Sequence, residues 1–118
     1  MIQKPTQSEL AILDVLWRQG PCTVRQVHEE VGGGYTTTLK LMQIMAEKGL
    51  VVRDERERAH VYSARLRKEE TQGVMVRDLM DRAFGGSAAQ LVMRALSEGE
   101  TSPEELAAIR KMLKEYKR

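Results

Sequence analysis

The chain has 118 residues, of which 42% are hydrophobic, 31% charged and 4% aromatic, and its formal net charge is +2. No apolar run approaches the roughly 18–20 residues of a bilayer span, the opening Met1-Ile2-Gln3-Lys4-Pro5 lacks a secretory apolar segment, and the single cysteine, Cys22, excludes an internal disulfide and a multi-cysteine metal site. The expectation is a cytoplasmic domain without cofactor, with an aliphatic, Met-rich core that favours helices over strands.

Nearly every predicted helix carries its own start and stop signal. Thr6-Gln7-Ser8-Glu9 fits a capping box, followed by Leu10, Leu13, Leu16 and Trp17 at helical spacing and a stop at Gly20-Pro21. Thr23-Val24-Arg25-Gln26 is a second capping box, opening a helix with Val24, Val27 and Val31 on one face and Gly32-Gly33-Gly34 as its end. A third helix is expected over about 36–48, with Thr38, Leu41, Met42 and Met45 inward and Gly49 as the stop. The period then changes. Leu50-Val51-Val52-Arg53-Asp54 and Ala59-His60-Val61-Tyr62-Ser63 read as two strands of a hairpin with a charged tip, Glu55-Arg56-Glu57-Arg58.

From Arg67 the helical period returns. Val76, Leu79, Met80, Ala83 and Phe84 line one side of a long helix that stops at Gly85-Gly86. Ser87-Ala88-Ala89-Gln90 is a third capping box, leading Leu91, Val92, Ala95 and Leu96 to Gly99. Ser102-Pro103-Glu104-Glu105 opens a last helix with Leu106, Ile109, Leu113 and Tyr116 in a stripe, and Lys114, Lys117 and Arg118 suit the negative end of its dipole.

Three helices running into a hairpin within about 65 residues is the plan of a winged helix-turn-helix. The three later helices, about 50 residues long, are too few to bury their own apolar faces, and an identical chain is the simplest partner. The predicted fold is therefore mainly α: a winged-helix DNA-binding domain over 1–66 and a three-helix dimerisation region over 67–118.

Little in the chain points to catalysis. His28 and His60 lie 32 positions apart, without metal-ligand spacing. His28, beside Glu29 and Glu30, reads as a solvated side chain, and Cys22 as a small buried residue. The triple glycine follows no strand and precedes no Gly-Lys-Ser/Thr, so it is a helix end rather than a phosphate loop.

Nucleic-acid binding fits better, although the charge is evenly spread: nine basic and eight acidic side chains in 1–66, ten and nine in 67–118. The third helix presents Tyr35, Thr36, Thr37, Lys40 and Gln43 opposite its Leu/Met stripe. Lys40 suits phosphate or a guanine edge, and the paired donor and acceptor of Gln43 suit adenine. Arg53, Arg56, Arg58 and His60 project from the neighbouring hairpin, with Asp54, Glu55 and Glu57 diluting their charge. A winged-helix protein-interaction module that never touches DNA is the alternative.

The sequence resembles the BlaI/MecI/CopY, or penicillinase-repressor, family of bacterial transcriptional regulators over nearly its whole length. The resemblance rests on Leu13 to Trp17, Thr23-Val24-Arg25-Gln26-Val27, Tyr35-Thr36-Thr37, Lys48-Gly49-Leu50-Val51, Ala59-His60-Val61-Tyr62-Ser63-Ala64, Phe84-Gly85-Gly86-Ser87, Leu91-Val92 and Pro103-Glu104-Glu105-Leu106. It implies a homodimeric winged-helix repressor that occupies a palindromic operator in double-stranded DNA, with no small-molecule substrate. Thr36, Thr37, Lys40 and Gln43 are expected nearest the bases, and Thr23, Arg25, Arg53, Arg58 and His60 on phosphates. Leu79, Met80, Phe84, Leu91, Val92, Leu96, Leu106, Ile109 and Leu113 are the expected dimer contacts.

The chain also departs from the family pattern. Ile44 stands where members often carry arginine, so a phosphate contact is either missing or supplied by Lys40. The copper-responsive branch has a C-terminal cysteine cluster, which this chain lacks. In the β-lactam-responsive branch a membrane sensor metallopeptidase leads to cleavage in the penultimate helix. The bond that aligns is Arg94-Ala95, in place of that branch's Asn-Phe pair.

Overall fold

In the computed structural model, which describes residues 3–116, the chain divides into two compact units, 1–78 and 79–118. The first holds α1 (Gln7–Gln19), β1 (Cys22–Thr23), α2 (Val24–Val31), α3 (Tyr35–Lys48), β2 (Val51–Asp54), β3 (Val61–Ala64) and most of α4 (Lys68–Ala83). The second holds the end of α4, α5 (Ala88–Glu98) and α6 (Pro103–Glu115).

Local chemistry sets the helix boundaries. Both capping boxes of the first unit form: Thr6 accepts the Glu9 N–H while Glu9 returns to Thr6, and Thr23 and Gln26 do the same. Ser87 and Ser102 accept the N–H of Gln90 and Glu105, and Pro103 starts α6. Each such cap is worth about 1 kcal/mol. Gly49 ends α3 in the left-handed conformation at φ +81, and the Leu50 N–H turns back to the Met45 carbonyl. That reversal aims the chain directly into β2. Lys114 lies in the last turn of α6; Lys117 and Arg118, expected to support it, are outside the described residues.

The core of the first unit gathers Ile12, Leu13, Val15 and Leu16 of α1, Val24 and Val27 of α2, Met42 and Met45 of α3, and Cys22, Leu50, Val51 and Tyr62. Val31, expected on the inner face of α2, is 37% exposed at the helix end. Trp17 donates its indole N–H to the Leu66 carbonyl at 3.0 Å, fastening the segment after β3 to α1.

The hairpin belongs to a three-stranded antiparallel sheet in the order β1-β3-β2. β3 pairs Tyr62 with Arg53 on one side and with Cys22 on the other. The strands are shorter than expected: Ala59 and His60 fall in the connecting loop rather than in β3. β2 begins one residue late, at Val51, but ends at Asp54 as expected, where the Asp54 carboxylate accepts the Arg56 backbone N–H at 3.0 Å and turns the chain.

In the second unit neither α5 nor α6 contains a buried residue. Leu79, Val92, Leu96 and Leu113 are exposed, and Met80, Phe84, Leu91, Leu106 and Ile109 are half-buried. No helix among the described residues is long and apolar enough to cross a membrane.

Candidate nucleic-acid interface

A cleft of about 440 Å³ opens in the first unit where α3, the start of α2 and the wing meet. Its lining includes Thr23 and Arg25, Tyr35 and Gln43, and Arg53, Arg58 and His60, with Val24, Leu39, Ala59 and Tyr62 between them. The fold thus brings seven of the ten residues expected at DNA to one concavity. Thr36, Thr37 and Lys40 do not line it; they are exposed along α3 outside the cleft. Helical periodicity accounts for the division. Tyr35, Leu39 and Gln43 recur every four residues and look toward the wing, while Thr36 and Lys40 form the adjoining row.

The charged groups around the cleft differ in their freedom to meet an anion. Arg56 is held by Asp54, with Nη2 2.7 Å from Oδ2, and this pairing keeps the Asp54 carboxyl at about 2. Arg53 pairs with Glu55. Its hydrogen bond with the Tyr62 side chain, ahead of the opposing pull of burial and the aid of Glu55, raises its pKa. Arg25, Lys40 and Arg58, by contrast, have no ion pair among the described residues. Three unpaired cations therefore stand around the cleft and along α3, ready to meet phosphate without first breaking a bond.

Thr23 is less available than its place in the sequence suggests. Its hydroxyl accepts the Gln26 N–H at 3.2 Å, and its backbone N–H goes to Gln26 Oε1 at 2.8 Å. Its contribution is to hold the first turn of α2 in place, and with it Arg25.

Several residues outside the expected DNA contacts support this region of the fold. Tyr62, 1% exposed, forms the cleft floor and joins the wing to the core. Glu9, 2% exposed, does more than cap α1: its Oε2 accepts from Lys48 Nζ at 2.8 Å, tying the start of α1 to the end of α3. Burial pushes the Glu9 carboxyl up, but the Lys48 ammonium and the Thr6 N–H outweigh it and hold the group below its ordinary value. His28 is not simply solvated. It is half-buried, its Nε2 lies 2.7 Å from the Gly33 carbonyl, and its ring meets that of Tyr35 edge-on at 5.5 Å. Cys22 is buried, as expected, and burial pushes its thiol up, with Glu30 adding to the effect.

The family model described as penicillinase repressor matches residues 5–115. Two relatives, each named transcriptional regulator BlaI, come from Mycobacterium tuberculosis strains CDC 1551 / Oshkosh and ATCC 25618 / H37Rv. Both are 34% identical over 113 residues, covering 91% of this chain and 80% of theirs. A solved structure titled "solution structure of apo-NmtR" is 31% identical with a TM-score of 0.45. The match covers 68% of this chain and 60% of that one, less than two thirds of its length.

Proposed function

The chain belongs to the penicillinase repressor family and is a DNA-binding transcriptional repressor; from that premise we propose that it acts as a homodimer on a palindromic operator, with α3 in the major groove and the wing on the flanking backbone. The observation that carries this reading is the cleft itself, which gathers Arg25, Gln43, Arg58 and His60 beside the exposed row of Thr36 and Lys40. Gln43 and Lys40 read base edges, with Thr36 and Thr37 at close approach. Arg25, Arg58 and His60 hold phosphates, Arg53 joins them by exchanging Glu55 for phosphate, and Thr23 supports the grip through the start of α2.

Dimerisation supplies the second half-site. The support is the apolar surface of the second unit, where Leu79, Val92, Leu96 and Leu113 are exposed. The expected contacts Met80, Phe84, Leu91, Leu106 and Ile109 complete that surface. We assign the chain to the cytoplasm and to a non-enzymatic role. Of its two histidines, His28 is engaged by Gly33 and Tyr35 and His60 lies in the wing loop, while the one thiol is buried. Release from the operator follows cleavage at Arg94-Ala95, downstream of a membrane sensor metallopeptidase.

The test is selection of duplexes from a randomised pool, followed by a salt titration. With Arg25, Arg53 and Arg58 of each protomer on phosphates, the dimer engages about six, so log K should fall with log salt at a slope near −5. A pool that yields no enriched duplex refutes the reading.

A further inference from the structure

We propose that His28 is a positioning residue for the DNA-reading helix, acting through the Gly33 carbonyl and the Tyr35 ring; the inference rests on the DNA-binding reading above. Side chains cap α1, α2, α5 and α6, but the N-cap of α3 is Gly34, which has none, and the start of α3 has no side-chain cap hydrogen bond. The turn before it is made of residues that lose the most freedom on ordering. Gly32 and Gly33 both sit at positive φ, +74 and +75. Left to itself, such a turn lets the helix start wander.

His28 closes this gap from the preceding helix. Its own carbonyl accepts the Gly32 N–H at 2.8 Å, ending α2, and its ring reaches over the turn. A carbonyl only accepts, so the 2.7 Å contact places the proton on Nε2, which donates to Gly33. The same ring stands at 79° to Tyr35, the first residue of α3 and part of the cleft lining. One side chain therefore holds the residue before the cap and the residue after it. Thr36, Lys40 and Gln43 follow from the same helix start, so their approach to base edges depends on that grip. Loosening the turn lowers the fraction of molecules in the binding-competent arrangement, and apparent affinity falls by the same factor.

The test compares wild type, His28→Ala and His28→Gln on a duplex enriched by the wild-type chain and on a random duplex. Amide exchange of the free protein is measured in parallel. Loss of one hydrogen bond and one ring contact should weaken the enriched duplex about tenfold in His28→Ala. The random duplex, held by phosphate contacts, should weaken less than threefold. Exchange should quicken over residues 32–37 and stay unchanged in α1. His28→Gln, which restores an N–H donor without the ring, should recover a substantial part of the loss, and it carries the test if His28→Ala does not fold. Equal loss on both duplexes, unchanged affinity in His28→Ala, or a glutamine variant no better than alanine would overturn the proposal. A wild-type chain that enriches no duplex overturns the DNA reading and this proposal together, whereas normal enrichment with an unaffected variant overturns this proposal alone.

Discussion

Replacing Lys48 with methionine removes the cation from a carboxylate that has almost no access to water. Glu9 is 2% exposed; one oxygen accepts the Thr6 N–H at 2.9 Å and the other the Lys48 ammonium at 2.8 Å. In Lys48→Met the first bond survives and the second has no replacement. Breaking a fully buried pair from one side costs about 3–5 kcal/mol. The Lys48 side chain is 28% exposed, so water partly compensates, and the expected loss is about 2–3 kcal/mol. For a unit of this size that lowers the Tm by roughly 10–20 °C.

The pH dependence gives an independent sign. In the wild type the folded carboxyl lies below its unfolded value of 4.5, so its contribution is present above that value and disappears as pH falls through the folded pKa. Without Lys48, burial is opposed only by the Thr6 hydrogen bonds, and the folded carboxyl should rise from its wild-type position. The defect of Lys48→Met should therefore shrink on acidification, as the buried group takes up a proton. Glu9→Gln keeps the capping box, because glutamine serves at that position, and the double variant should recover most of the loss. Urea unfolding of the four proteins at pH 7 and pH 4 measures this directly. A Lys48→Met protein within about 0.5 kcal/mol of wild type at pH 7, or a defect that does not shrink in acid, would refute the reasoning.

Gln43→Ala should relax preference at one base position, costing about 1–3 kcal/mol of discrimination, whereas Arg58→Ala should weaken all duplexes alike and flatten the salt slope by about one. Isotherms on enriched and scrambled duplexes separate these effects, and identical behaviour of the two variants would count against the assigned roles. Leu96→Asp should place an unpaired charge on the apolar face of the second unit and shift the protein toward monomer with weaker operator binding, as sedimentation and gel shift would reveal. Cleavage at Arg94-Ala95 should separate residues 1–94 from Leu96 and α6. Mass spectrometry of the protein from cells challenged with a cell-wall antibiotic would detect it, and an intact chain alongside full derepression would rule it out.

The readable parts of the sequence were those governed by local chemistry. Thr6/Glu9, Thr23/Gln26 and Ser102-Pro103 act within one helical turn, and each appears as a cap at the expected position. β1 escaped notice because two residues have no periodicity, and it is a strand only through its partner β3. Glu9 and Lys48 are 39 positions apart, and the capping box already accounted for a glutamate at that place. The bond from His28 depends on two positive-φ glycines folding Gly33 back over the helix end, a geometry that composition does not encode. In the wing the acidic residues were visible, but their division was not: Asp54 and Glu55 engage Arg56 and Arg53 and leave Arg58 without an ion pair.

With β3 bonded on both flanks, the wing is an adjustable part on a fixed mount. An insertion within β3 would shift the alternation of its side chains, turning Tyr62 away from the core and breaking its pairing with both Arg53 and Cys22. Residues 55–60, outside any strand, carry no such constraint. In the proposed binding mode, lengthening or shortening that loop would change how far along a duplex the wing can stretch while α3 stays in its seat. Descendants of this chain could therefore acquire longer or shorter binding footprints through insertions and deletions at six positions, leaving the base-reading residues untouched.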